Sequence, residues 1–230
     1  MSKVYHTSII GRKQVAENTL EVSVKRPADF SFKPGQYIQL RIPELLYSDY
    51  SGPSRQLSIA SSPFDREKVS VAFRESDSGF KQTIKELSLN SEVIIEGPHG
   101  FYTLPEESDN PLILVAGGIG ITPYLSMART FEKRGLNFQV RLLYGNRNEK
   151  SAAYLSELLS IAAKIKNFSV RNLFGHIDKE FIIKNVGLSN LEHCIWYIAG
   201  PPVMVNSVRN TLSLLGVDEN YVFSEEFTGY

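Results

Sequence analysis

Thiol chemistry is all but missing from this sequence, which holds one cysteine, Cys194. An internal disulfide is excluded, and so is any cluster or structural metal that needs several thiolates. The histidines His6, His99, His176 and His193 stand far apart without metal-ligand spacing, so no metal site is expected. Long hydrophobic runs are lacking too. None approaches the roughly 20 residues that span a bilayer, and the opening Met-Ser-Lys-Val-Tyr-His has no signal-peptide core. A cytoplasmic chain without membrane insertion is the expectation. Nor is there an excess of either charge: 25 Lys and Arg balance 25 Asp and Glu, and the basic residues are scattered. Nucleic acid is therefore not the expected partner.

What is present divides in two. At 230 residues there is room for two domains of about a hundred residues each. Up to about residue 104 the pattern is short alternating segments broken by turns. Leu20, Val22 and Val24 alternate with Glu21, Ser23 and Lys25, which predicts one buried and one wet face. Further strands are expected at 37–42, 56–60, 69–73 and 93–96, with one helix over 79–87. Spacing of this kind predicts a small closed antiparallel barrel. After a polar link at 106–111 strands alternate with helices: 112–116 then 123–133, 138–144 then 151–165, 168–173 then 179–184, 195–199 then 202–215, and a last strand 221–224. That rhythm predicts an α/β domain, a parallel sheet with helices on both faces. The expected boundaries are 1–106 for the barrel domain and 107–230 for the α/β domain.

The sharpest local signal is Leu112 to Leu125. An apolar run, Leu112 to Ala116, reads as a strand buried on both faces. Gly117, Gly118 and Gly120 then supply a turn that a ligand can approach closely. Thr122 reads as a helix N-cap and Pro123 as the first helical residue. Free N–H groups and the positive end of a helix dipole would meet a phosphate there. The pattern is neither a Walker A loop nor a complete GxGxxG, so a plain glycine turn remains the alternative. Ala199-Gly200-Pro201-Pro202 repeats the design at another strand end. A helix terminus gives only about 0.3–1 kcal/mol, whereas micromolar affinity needs about 8 kcal/mol. Other contacts must therefore contribute, with Asn146, Arg147 and Tyr154 as candidates.

In order along the chain, four motifs and the ending resemble the ferredoxin-NADP reductase family of flavoproteins. They are Arg55-Gln56-Leu57-Ser58-Ile59-Ala60-Ser61, Gly97-Pro98-His99-Gly100-Phe101, the glycine turn at 117–123, Gly200-Pro201-Pro202 with Met204, and Glu225-Glu226-Phe227-Thr228-Gly229-Tyr230. The resemblance implies a flavin-binding barrel followed by an NAD(P)-binding domain, and FAD rather than FMN. It places Arg55 on the flavin phosphate and Ser58 at the ring atom that receives hydride. Gln56 and Leu57 share that strand, Leu57 standing where the family usually has an aromatic. Phe73 and Arg74 would border the ring. Ser78, Gly79, Phe80 and Lys81 would meet the pyrophosphate, the first three through backbone N–H groups. Gly200, Pro201 and Pro202 would flank the nicotinamide, with Ala199 where many members carry cysteine. Glu225 and one of Phe227 and Tyr230 would complete the catalytic set, Phe227 being preferred as the aromatic on the ring.

The implied activity is hydride transfer from NADPH or NADH to bound FAD, then electrons to a separate acceptor such as a ferredoxin or another iron–sulfur protein. Arg147 points to a 2′-phosphate and NADPH, while Glu149 nearby fits a free ribose and NADH. Two alternatives stand beside this reading. One is a reductase of free flavin or ferric chelates; the other is an electron-transfer subunit without its own turnover.

Overall fold

Two sheets of opposite character divide residues 3–228, the stretch that the computed structural model describes. The antiparallel sheet is made of β1 (Lys3–Ala16), β2 (Thr19–Lys25), β3 (Tyr37–Arg41), β4 (Ser54–Ser58), β5 (Lys68–Arg74) and β6 (Glu92–His99), with α1 (Gly79–Glu86) before the last strand. Its spatial order is β4-β3-β6-β1-β2-β5. The sheet curls until its edges meet, but β4 and β5 join only at an Ile59–Val71 bridge and through the Ala60 N–H donating to the Ser70 carbonyl (2.7 Å). The expected closed barrel is thus pinned at one seam, and most of β4 has an unpaired edge. Inside lie Ile9, Val22, Val24, Ile38, Leu40, Val69, Val71, Val93 and Ile95, with Phe80 and Ile84 of α1 closing one end.

One of these strands was missed in the sequence and the reading of another needs correction. β1 is 14 residues long and carries irregularities after Ile9 and after Gln14. Its first half pairs with β6 and its second with β2. Crossing a barrel corner in this way destroys simple alternation, so its pattern was not legible. β2 does alternate, but its second face is dry as well: Glu21 and Ser23 are buried. The reason is that this face packs against the second domain.

The parallel sheet is formed by β7 (Leu112–Gly117), β8 (Val140–Asn146), β9 (Phe168–Phe174), β10 (Ile195–Gly200) and β11 (Val222–Glu226), in the order β11-β10-β7-β8-β9. α2 (Thr122–Arg134) and α3 (Leu155–Lys164) cover one face; α4 (Lys179–Val186) and α5 (Pro202–Leu214) cover the other. β7 shows why its sequence is a continuous apolar run. Leu112, Leu114 and Ala116 pack with Tyr124, Leu125 and Ala128 of α2, while Ile113 and Val115 pack with Val205, Val208 and Leu212 of α5. The helix expected over 151–165 is split. A 3₁₀ turn, Glu149–Ser151, comes first, and Tyr154 at φ +60° interrupts the chain before α3.

Ala60 and Ala72 of the barrel belong to the apolar cluster of the α/β domain. Around them Arg129 donates to the Ala60 carbonyl (2.9 Å), Ser126 to the Ser61 carbonyl (2.7 Å), and the Glu17 N–H to the Lys150 carbonyl (2.8 Å). The domains therefore meet through a packed and bonded seam. No helix among the described residues is long and apolar enough to cross a membrane.

Candidate functional site

The strand order reverses direction beside β7: the chain moves outward to β8 and β9, then returns to β10 on the other side. Ligands of parallel α/β sheets bind at such a switch point, outside the carboxyl ends of the strands. Here those ends are Gly117 and Gly200. A Cβ on Gly200 would stand 3.2 Å from the Gly117 Cα, and one on Gly120 would run into the Ala199 carbonyl. Glycine is what lets the two strand ends touch. Gly118 has φ +53° and opens a 3₁₀ turn, Gly118–Ile121, that runs directly into α2. Thr122 is consequently not an N-cap, because it lies inside the helix and its hydroxyl donates to the Ile119 carbonyl (3.1 Å). Pro123 follows it. At the second strand end Pro201 caps α5 and Pro202 is its first residue.

Asn146 closes β8 on the same edge, 4% exposed, and neither atom of its amide has a hydrogen-bond partner among the described residues. Arg147 beside it is exposed. Tyr154 does not join them. It is buried in the domain seam, donating its hydroxyl to Glu21 (2.9 Å) with the Arg129 guanidinium over its ring (5.5 Å). It is withdrawn as a nucleotide contact. Arg74 also lies in the seam, donating to Thr19 Oγ1 (2.7 Å) and to the Ser151 carbonyl (2.7 Å). Its guanidinium backs onto the glycine turn, 3.7 Å from where a Gly118 Cβ would be.

Between this edge and β4 opens a cleft of about 420 Å³, within the size range of organic-ligand sites. Of the residues singled out from sequence, Arg55, Gln56, Leu57, Ser58, Phe73, Lys81, Thr122, Glu225 and Phe227 line it. Tyr37, which had not been anticipated, lines it too. Its ring is held by His99 (centroids 5.4 Å apart) and faces Gly100, whose φ of +91° and lack of a side chain make room for it. The motif at 97–101 thus reaches the cleft through a neighbour. Lys81 is 5% exposed, and burial, with Arg55 nearby, lowers its pKa.

The sheet edge brings in the other wall. β11 pairs with β10 so that Glu225 stands opposite Ala199 and Glu226 opposite Gly200. The Phe227 N–H then donates to the Gly200 carbonyl (3.0 Å). One oxygen of Glu225 is buried without a partner, and burial pushes this carboxyl up to about 7. Tyr230 lies outside the described residues.

On the barrel side the expected pyrophosphate cradle is differently furnished. Asp49, in the loop between β3 and β4, was not singled out from sequence. Its Oδ2 accepts from Arg55 Nη2 (2.6 Å), Ser78 Oγ (2.7 Å) and the Phe80 N–H (2.8 Å). Burial would raise its pKa, but these bonds and one from the Ser51 N–H outweigh it and hold the carboxyl well below the usual carboxylate range. Ser78, Gly79 and Phe80 do not line the cleft, whose lining includes Ser51 and Ser54 of the adjoining segment. No signal at short spacing could have revealed Asp49, because its partners lie up to 31 residues away.

Known proteins are similar to this chain in sequence and in fold. A family model of the FAD-binding domain matches residues 4–117, and one of the oxidoreductase NAD-binding domain matches 114–210. The propane 2-monooxygenase reductase component of Mycolicibacterium goodii is 26% identical over 225 residues, covering 91% of this chain and 63% of that protein. The toluate 1,2-dioxygenase electron transfer component of Pseudomonas putida is 27% identical over 234 residues, covering 97% and 67%. This chain thus spans about three fifths to two thirds of the length of these relatives. In structure it is similar to the FAD/NAD-binding domain of a nitric oxide dioxygenase from Vibrio cholerae (TM-score 0.82, 20% identity, 96% of this chain and 98% of that one). It is similar also to the ferredoxin-NADP⁺ reductase of Plasmodium falciparum (TM-score 0.78, 19% identity, 97% and 96%). At these identities the structural likeness speaks for the fold.

Proposed function

The chain belongs to the ferredoxin-NADP reductase family of flavoprotein oxidoreductases, and from that premise we propose that it moves hydride from NAD(P)H to a flavin, FAD by preference, held in the 420 Å³ cleft, and passes the electrons to a separate acceptor. One observation carries the reading: Ser58 from the barrel and Glu225 and Phe227 from the sheet edge line one cleft, beside the switch point formed by Gly117 and Gly200.

The residues fit the flavin. Donors around Arg55 already hold a carboxylate, so they have anion-binding chemistry. Leu57, Phe73 and Phe227 offer apolar surface to a ring, and the partnerless oxygen of Glu225 is polar capacity in reserve. When bound, FAD supplies acceptance of an electron pair and its release one electron at a time. The chain's own part is placement. Lys81 would meet phosphate beside an Arg55 already engaged by Asp49, Ser58 would hydrogen-bond the ring edge, and Gln56 would share that wall. Gly117, Gly118, Gly120, Gly200, Pro201 and Pro202 would let the nicotinamide dinucleotide approach, with Asn146 and Arg147 further along the edge. Phe227, tied by its N–H to Gly200, would cover the site and swing aside for the nicotinamide, a gating step. Glu225 can take up or give a proton near neutral pH.

The names of the relatives, a reductase component and an electron transfer component, support an iron–sulfur protein or ferredoxin as acceptor. A cytoplasmic setting is proposed with it, consistent with one buried, unpaired cysteine. The test is an absorbance spectrum of flavin-loaded protein followed by anaerobic titration with NADPH and NADH separately. Bleaching of the flavin band by either nucleotide is expected; an unchanged spectrum with both would overturn the reading. A second reading, in which flavin is a dissociable substrate, is favoured by the hold of Asp49 on Arg55. Colourless protein after desalting would select it.

A further inference from the structure

We infer that Asp49 determines how strongly this chain binds the phosphate of its flavin, by occupying the donors that the phosphate would otherwise take. The inference rests on the flavin reading above. A carboxylate occupies the place where the family resemblance puts the flavin phosphate. The Arg55 guanidinium, the Ser78 hydroxyl and the Phe80 N–H at the start of α1 converge on one oxygen of Asp49 within 3 Å, the kind of cluster that binds phosphate oxygens.

The carboxylate is not a loose side chain that a ligand can push away. Its side chain is 4% exposed. The loop behind it is fastened to α1, with the Leu46 and Tyr47 N–H groups donating to the buried Thr83 hydroxyl (3.0 and 3.4 Å). Gly79 is glycine because the carbonyls of Tyr47 and Ser48 fill the place of its side chain. Arg55, in contrast, does not need Asp49 to keep its direction: its Nη1 donates to the Gly52 (3.0 Å) and Ser54 (2.8 Å) carbonyls. Removing the carboxylate charge therefore leaves the guanidinium pointed at the cradle and restores one uncompensated positive charge there. In the native chain an incoming phosphate meets an anion at close range, and its contribution to affinity is small. The isoalloxazine ring then carries most of the binding.

The first experiment uses the wild-type protein and compares riboflavin with FMN, which differ by the phosphate alone, through quenching of flavin fluorescence. Dissociation constants within about tenfold of each other are expected. FMN binding about a hundredfold tighter than riboflavin would overturn the inference. The second uses Asp49→Asn, with Asp49→Ser beside it in case one fails to fold. FMN affinity should rise about tenfold or more while riboflavin affinity stays put; unchanged or weaker FMN binding in both variants would overturn it. The third arm needs no flavin: millimolar inorganic pyrophosphate should raise the melting temperature of either variant and leave the wild type unmoved. Wild-type protein that binds none of riboflavin, FMN and FAD sinks the flavin reading instead, and the pyrophosphate arm still decides the role of Asp49.

Discussion

Burial without a partner lifts the Glu225 carboxyl from 4.5 to about 7. A raised carboxyl is harder to ionise in the folded chain than in the unfolded one. The associated stability is therefore present in full below pH 4.5 and is lost as pH rises through about 7. Glu225→Gln should flatten the melting profile across that window and gain about 2 kcal/mol on its alkaline side; an unaltered profile in thermal melts would contradict the burial of this group. Ser58→Ala removes one hydroxyl from the cleft wall and leaves the apolar surface of Leu57, Phe73 and Phe227 in place. Stopped-flow flavin reduction should slow about tenfold with bound flavin retained, and release of the flavin would show that Ser58 is misplaced. Gly118→Val forces a β-branched residue to φ +53°, at a cost of about 1–3 kcal/mol, and narrows the dinucleotide approach. An unchanged Michaelis constant for NAD(P)H would reject the glycine turn as a nucleotide contact.

At the scale of elements, legibility followed locality. β7 was readable because burial on both faces leaves a run of adjacent apolar residues. The prolines of α5 and the glycines at 117–120 were readable because turn chemistry is written in neighbouring positions. The cap of α2 was misread, since the sequence of Thr122 and Pro123 does not say that a 3₁₀ turn enters the helix from upstream. β1 escaped because it changes partners midway. Tyr154 was assigned by nearness in sequence to Asn146, whereas its hydroxyl bonds a residue 133 positions away. Of the candidate site, the parts on strand ends were visible, and Asp49 was not. The seam between elements offers its own test. Arg129 grips Glu157 with two bonds (2.6 and 3.0 Å) and the Ala60 carbonyl with a third. Arg129→Met should lower stability by about 2–3 kcal/mol in urea unfolding. Loss below about 0.5 kcal/mol would mean that Arg129 contributes little to the seam.

Across the whole molecule, a barrel whose alanines sit in the core of its neighbour should unfold with that neighbour as one unit. A single cooperative transition, the same by circular dichroism and by tryptophan fluorescence from the buried Trp196, is the expected result; two separated transitions would show independent domains. The two-domain plan, an antiparallel barrel followed by a parallel α/β sheet, was legible because alternation and the strand–helix rhythm are written in neighbouring positions. What motifs could not convey is how firmly the walls of the groove are joined.

The Ala60–Ala72 patch and its ring of hydrogen bonds have a consequence for traffic. A molecule clamped at this place has no jaw to open, so cargo cannot be admitted by swinging one half away from the other. A ligand would have to pass instead beside the short segment 227–228 that follows the last strand.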